Sequence, residues 1–489
     1  MIMQLPTYYP ARIVNHRHEA LPEENRLPSG WTAVRLRESG EGLRLLWPDA
    51  DHSIARPILS GSRLRITVAL GYNDAQFVEV SLTKSGTHLG SFDIRYAYVF
   101  QPFELMLTAE LTEAVLSEGI QLRLQGEGDR QLWIFDELEG DMARRLFVPH
   151  LLIGEGSKPI ESYLESMASL SSLQPFGWLE GCVLDGLYAL RKEVGAERAD
   201  SVIDAHLSQY VDTEGRLRYE DLKGRKADGA FTTIEATLPL AVIVKHRSDH
   251  PVVKEALVFW DTQGANERGA IIDGDTITAE GVYTVAYPLA VIATQLARKD
   301  LAELAIRQAL LRRDWLAKDI HVYLRYHQRR GTHTFRSWSR AFAWYMLGMT
   351  RTWIELKGSD YAGLPGVDEM EKELLRVAEV ALAWRQQEGL WSCFLDEPGT
   401  GIETSGSAGI ATALALGSKH GLLPPEYLDA AVESLNALET YLTPDGILSG
   451  VSQHNAGGME LQVGGYRVLS QMGMGLMAQL YAAVHDENP

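Results

Sequence analysis

EGVYTVAYPLAVIATQLAR at residues 280–298, followed by DLAELAIRQALLRRDWLA at 300–317, decides the fold. The first segment is apolar almost all round. A helix of that kind has no face for water and must be buried. The second repeats apolar residues at i, i+3, i+4 and i+7 and is charged on the other face, so it is a helix with one wet side. The pairing recurs along the chain. GWLEGCVLDGLYALRKE (177–193) is answered by ADSVIDAHLSQYV (199–211), and TTIEATLPLAVIVKHR (232–247) by HPVVKEALVFWD (250–261). SWSRAFAWYMLGMTRTWIEL (337–356) precedes VDEMEKELLRVAEVALAWRQQ (367–387), and ETSGSAGIATALALGSKHG (403–421) precedes PPEYLDAAVESLNALETYL (424–442). GYRVLSQMGMGLMAQLYAAV (465–484) ends the series, and PIESYLESMASLS (159–171) supplies its outer partner. Six buried helices, each answered by an amphipathic one, predict an inner ring within an outer ring, an (α/α)6 barrel.

The connections from outer to inner helices also repeat. DTEGRLRY (212–219), KDIHVYLRYH (318–327), QEGLWSCFLD (387–396) and TPDGILSGV (443–451) each join a turn to a short strand-like run. They should gather at one mouth of the barrel, where the inner-helix N-termini make the field positive and favour an anionic ligand. Upstream the texture is different. RLRITVAL, FVEVSLTK, SFDIRYAY, FELMLTAE, IQLRLQG and RQLWIFD alternate or run apolar between turn residues, with one short helix expected near Thr112–Ser117. They predict an antiparallel β-sandwich over 1–150, serving as an accessory domain before a catalytic barrel at 151–489, with FVPHLLIGEG (147–156) as the linker.

The 489-residue length suits two or three domains, and 45% hydrophobic with 23% charged residues is a globular composition. No apolar run is long enough to span a membrane, and the N-terminal MIMQLPTYYPARIV lacks a signal-peptide pattern. Two distant cysteines, Cys182 and Cys393, give no disulfide framework, so a reducing cytoplasm is the expected home. A net charge of −19 with no basic block argues against nucleic acid as a partner. No cofactor or metal is implied: His321, His327 and His333 lack zinc-site spacing. A homo-oligomer stays open.

The inner-helix starts carry the chemistry. They present Trp178, Glu235, Glu280, Arg340 with Trp344, Glu403 and Arg467. A single acid there is usually a cap. Several acids, arginines and aromatics in equivalent positions of one ring suit glycoside chemistry, in which one carboxyl protonates and another orients water. Arg340 and Trp344 lie four apart on one helical face. A guanidinium fork beside an indole suits a carboxylated sugar. His454, in SQHNAGG at 452–458, sits on a mouth loop and reads as a turn residue, with substrate contact as the alternative.

Residues 160–485 resemble the unsaturated glucuronyl and unsaturated rhamnogalacturonyl hydrolases, glycoside hydrolase families 88 and 105. The most specific match is YHQRRGTHTFRSWSRAFAW (326–344), against a pattern of Tyr-His, a spacer and Trp-x-Arg-x-x-x-Trp. The resemblance implies His327, Arg340 and Trp344 as the uronate pocket. ETSGSA at 403–408 is similar to the families' helix start and brings in Glu403 and Ser405. ITAEGVYTVAYPLA (277–290) is similar to the segment of the catalytic aspartate in Asp-x-x-Tyr, here Glu280 with Tyr283. TTIEATLPLA (232–241) is similar to that of the second aspartate, here Glu235.

Both acids are therefore glutamate where the pattern has aspartate. The extra methylene moves a carboxyl by about 1.5 Å. The resemblance implies proton transfer from Glu280 to C4 of a 4,5-unsaturated uronic acid, with Glu235 as its partner and water adding at C5. Two close carboxylates would raise the acid's pKa. The expected partner is an oligosaccharide containing a uronic acid. The two glutamates keep other readings open: a glycosidase on saturated uronides or a uronate polysaccharide lyase on the same barrel, and a non-catalytic carbohydrate-binding protein.

Overall fold

The computed structural model describes residues 6–16, 19–28, 30–50, 54–136, 146–156, 158–222 and 224–486. The N-terminal part contains β1 (Thr7–Pro10), β2 (Arg12–Ile13), β3 (Ala33–Arg37), β4 (Leu43–Leu46), β5 (Ser62–Thr67), β6 (Ala75–Leu82), β7 (His88–Arg95), β8 (Pro102–Leu107), β9 (Ile120–Leu124), β10 (Gln131–Phe135) and β11 (His150–Ile153). They pair antiparallel into a sheet of order β1-β11-β5-β8, a second of order β2-β4-β9-β6-β7, and the ladder β10-β3. Alternation is what makes β6 a strand. It buries Gln76, Val78, Val80 and Leu82, and turns the residues between them outward. The expected short helix is α1 (Ala109–Glu118), capped by the Thr108 hydroxyl on the Leu111 N–H.

The stretch 147–156 is not a free linker. Its core is β11, wholly buried between β1 and β5, because Leu151, Leu152 and Ile153 are apolar on consecutive positions and a strand covered on both faces takes such a run. The N-terminal sheet thus extends to Ile153, past the boundary drawn at residue 150 from the sequence.

Besides three short helices of four to six residues in the chain as a whole, the C-terminal part and its ring are built from α2 (Pro159–Met167), α3 (Trp178–Ala189), α4 (Ala196–Leu207), α5 (Leu240–His246), α6 (Val252–Thr262), α7 (Tyr287–Gln295), α8 (Lys299–Leu316), α9 (Ser339–Lys357), α10 (Val367–Ala383), α11 (Thr404–Lys419), α12 (Pro425–Glu439) and α13 (Gln471–His485). Packing runs in a closed cycle, α3 on α5, α5 on α7, α7 on α9, α9 on α11, α11 on α13 and α13 on α3. Each ring member has its own outer helix: α4 on α3, α6 on α5, α8 on α7, α10 on α9, α12 on α11 and α2 on α13. Burial follows the sequence texture. From Trp178 to Leu187 every residue of α3 is buried, whereas α10 buries Val367, Met370, Leu374, Val377 and Ala381 along one stripe. The ring closes through a backbone contact. A Cβ on Gly475 of α13 would stand 2.4 Å from the Cys182 carbonyl of α3, and one on Gly186 would stand 2.6 Å from the Gly475 carbonyl.

Short antiparallel strands occupy the connections: β12 (Arg218–Glu220), β13 (Lys226–Asp228), β14 (Thr276–Thr278), β15 (Ala317–Lys318), β16 (His321–His327), β17 (Thr332–Arg336), β18 (Ser392–Phe394), β19 (Glu397–Ile402), β20 (Val451–Ser452) and β21 (Arg467–Val468). The N-terminal strands are bolted to this end of the ring. Arg65 of β5, fully buried, donates to both carboxylate oxygens of Asp445 at 2.6 and 3.0 Å, and the Tyr8 and Thr443 hydroxyls donate to the same group. The Gln471 amide donates to the Phe100 carbonyl at 2.8 Å, and Gln453 to Gln101 at 3.0 Å. These bonds press the turn after β7 onto the helical ring.

Candidate active site

The two predicted acids stand on adjoining irregular segments. Pro288 has no N–H, so the Thr284 carbonyl four residues back loses its helical donor. The chain responds with a π turn at Val282–Ala286, in which the Tyr287 N–H bonds the Val282 carbonyl. The Thr237 hydroxyl supplies the missing donor to Thr284, at 2.5 Å. Thr237 ends the 3-10 turn Ile234–Thr237 that carries Glu235, so one proline ties the Glu235 segment to the start of the Glu280 helix. A second tie comes from α8. Arg312 is fully buried and donates to the carbonyls of Thr278 and Ile271 and to Gln308. Burial pulls its pKa down to about 9. Gly281 makes room for it, since a Cβ there would lie 2.1 Å from the guanidinium.

Glu280 is 5% exposed, and its Oε2 has no hydrogen-bond partner among the described residues. Its pKa is raised, mainly by burial and further by the charge of Asp273, against the lowering pull of Arg325 and Arg340. Loss of water is the largest of these effects and favours the protonated form. Arg325 was missed by the sequence reading. It faces Thr278 across the β14–β16 ladder, two residues before Glu280, and donates to Asn455 at 3.1 Å. Alternation along β16 could have found it, because Arg325 and His327 share a face.

Tyr98 was also missed, since it belongs to the N-terminal part. Its phenol is buried without a hydrogen-bond partner among the described residues. Burial raises its pKa first, then Glu235 and Glu280 add to the rise while Arg340 and Arg325 oppose it. All four charges therefore converge on one hydroxyl. Its ring lies 6.0 Å from Trp178 and 4.8 Å from His454. Trp178 meets Trp344 edge-on at 5.4 Å, and Trp344 stacks on Tyr283 at 6.0 Å. His454, read as a turn residue, is instead part of this wall. Burial and the two arginines pull its pKa down to about 3, which keeps the imidazole neutral. A small cavity reaches Arg340, Trp178, Tyr98 and His454, and a larger one opens on the other side of Tyr98 and His454.

Other predicted binding residues have different partners. Arg340 is 2% exposed, donates to the carbonyls of Ser452 and Gln453, and stacks over Trp338 at 4.4 Å. Only its Nε is without a partner among the described residues, so it fastens the 451–453 strand and is not an open fork. Glu403 is the cap of α11. Its carboxylate accepts from the N–H groups of Ser405, Gly406 and Ser452 and from the Ser405 hydroxyl. That leaves neither Glu403 nor Ser405 a free group for a ligand. Arg467 pins the β19 hairpin through the carbonyls of Thr400 and Ile402. The Tyr283 hydroxyl donates to Asp185 at 2.5 Å, deep in the ring. Trp178 and Trp344 are in ring contact, Glu235 lies on the turn Ile234–Thr237, and His327 pairs with Thr276 of β14. Among the described residues no group of three His, Cys, Asp or Glu is placed to hold a metal ion, and no helix is long and apolar enough to cross a membrane.

The sequence profile of Glycosyl Hydrolase Family 88 matches residues 159–477. The chain belongs to this family. No curated protein matches it. Solved structures share the fold of the family 88 region at low identity. A family 105 glycoside hydrolase from C. acetobutylicum is 17% identical with a TM-score of 0.57, over 67% of this chain and 98% of that one. A family 88 glycosyl hydrolase from Bacteroides vulgatus is 14% identical with a TM-score of 0.52, over 67% and 96%. An unsaturated glucuronyl hydrolase specific for heparin is 15% identical with a TM-score of 0.50, over 67% and 95%. The family 88 match makes the protein a glycoside hydrolase, and it leaves the N-terminal strands, with Tyr98, outside the shared region.

Proposed function

We propose that this family 88 enzyme removes a terminal 4,5-unsaturated uronic acid from oligosaccharides by hydrating the C4=C5 bond. The observation that carries the reading is the Glu280 carboxyl: buried, with a raised pKa, one oxygen unpartnered, and Arg325 beside it. Such a group delivers a proton only to something that enters its pocket. The proton moves from Glu280 to C4, and positive charge develops at C5. Water adds there, and the carboxylate system takes up the water's proton. The resulting hemiketal opens and releases the leaving sugar. Glu235 is the second carboxylate of the site. Arg325, with His327 on its face of β16, takes the clamping role first given to Arg340, whose guanidinium is engaged by backbone carbonyls. Trp344 and Trp178 cover the ring's apolar face. The relative specific for heparin supports the substrate class.

We read the closed helical ring with its outer partners as an (α/α)6 barrel over 151–489 and the N-terminal sheets as an accessory β-sandwich over 1–150. The test of function offers the enzyme two disaccharides that differ only in saturation at C4–C5. Turnover of the unsaturated one alone supports the proposal. Release of uronate from the saturated one would move the enzyme to the direct glycosidases.

A further inference from the structure

The larger cavity lies between the N-terminal strands and the barrel mouth and opens to solvent. Aromatic side chains dominate its lining: Tyr72, Tyr96 and Tyr98 from the N-terminal part, and Phe176, Tyr210 and Tyr219 from the barrel. Three of its four charged residues are engaged at the walls, and Arg218 stays exposed, 3.8 Å from Asp228. Arg26 bonds Asp228 at 2.7 Å, and its backbone N–H bonds Glu220. Arg225 bonds Asp221 at 2.7 Å. A lining of aromatic faces with most charges paired internally suits a neutral, hydroxyl-rich ring, to which Arg218 can donate. The acid cluster on the other side of Tyr98 is the opposite, with two glutamates and two arginines acting on one phenol. Tyr98 and His454 line both cavities, and Tyr98 is within reach of the charges of Glu235 and Glu280, so a ligand filling the larger cavity would end against a side chain that the acids act on.

We infer that this interdomain cleft is the subsite for the neutral sugar on the leaving side of the uronic acid, and that the N-terminal strands thereby select the leaving group. The inference rests on the function proposed above. The N-terminal contribution lies outside the region matched by the family, which begins at residue 159. The cleft also gives a purpose to the turn after β7, where Tyr96 and Phe100 take positive φ values of 50° and 68° to present the residues between them.

The test is calorimetric titration of Glu280→Gln protein, which should bind without turnover. Two probes are used: the methyl glycoside of a 4,5-unsaturated uronic acid, and the unsaturated disaccharide with a neutral second sugar. The disaccharide should bind about tenfold tighter, one 1.4 kcal/mol contact. Adding Arg218→Ala, at an exposed cleft position, or Tyr96→Leu, which keeps apolar bulk against Gly457, should remove that gain and leave methyl glycoside binding unchanged. Equal binding of the two probes, or a gain that survives both substitutions, overturns the inference. Cellobiose separates this failure from failure of the function. Cellobiose binding that the cleft substitutions abolish, with no binding of either unsaturated probe, keeps the subsite and removes the uronide reading. Binding of no probe overturns both.

Discussion

Glu280 has lost its water, so ionising it costs more than it does in solution, and its proton stays on where an exposed glutamate has released it. Two consequences share a sign. Activity that needs the protonated acid should be present below the raised pKa and fall as pH rises through it. The same raised pKa gives folding stability that is complete below the ordinary value of 4.5 and is lost as pH rises through the folded-state pKa. Glu280→Gln cannot ionise, so it should melt no lower than wild type at neutral pH while turnover falls by about a hundredfold to ten-thousandfold. The two arginines should separate. Arg325→Ala should weaken uronide binding by about 1.5–3 kcal/mol, the range for a hydrogen bond to a charged group, with little change in melting temperature. Arg340→Ala leaves the carbonyls of Ser452 and Gln453 without donors, so thermal denaturation should show a loss of about 1–3 kcal/mol as well. Sequence spacing put Arg340 and Trp344 on one face, and the helix does so. Spacing could not reveal that strand carbonyls already hold the arginine, because that contact is made across the fold by residues 452 and 453.

The helices were legible because each ring member is apolar all round and each partner has a striped face, a local property of the chain. The irregular turns at 234–237 and 282–286 were less so. The sequence reads 280–298 as one helix, and Pro288 was the signal that its first turns must widen. Thr237→Val keeps shape but removes the hydroxyl that donates to the Thr284 carbonyl. It should cost about 1–3 kcal/mol by chemical denaturation and lower activity further by loosening the two acid segments. At the closing seam, Gly475→Ala places a methyl 2.4 Å from the Cys182 carbonyl, where backbone must shift. It should cost about 1–3 kcal/mol. The sequence reads 147–156 as a linker, and its central run shows no alternation. That absence is the mark of a strand covered on both faces.

At the scale of the molecule, the active-site wall is shared between two parts of the chain that have different textures. The sequence made the ring and the strands visible separately, and nothing local connected Tyr98 or Arg65 with ring residues hundreds of positions later. The bolt between them can be tested by itself. Asp445→Asn breaks a buried ion pair with Arg65 and should cost about 3–5 kcal/mol in urea unfolding. The Arg65 guanidinium holds the Asp445 carboxyl well below its ordinary 3.8, so this stability is present above that value and is lost as pH falls below it through the folded-state pKa. The central claim is that the buried Glu280 carboxyl hydrates a C4=C5 bond, and one assay reaches it most directly. A lyase-made unsaturated disaccharide is incubated with wild type and with folded Glu280→Gln, and the ultraviolet absorbance of the conjugated double bond is followed. Wild type should bleach it and the variant should leave it intact. Bleaching by Glu280→Gln, or a wild-type enzyme that releases sugar while the absorbance persists, would contradict the account.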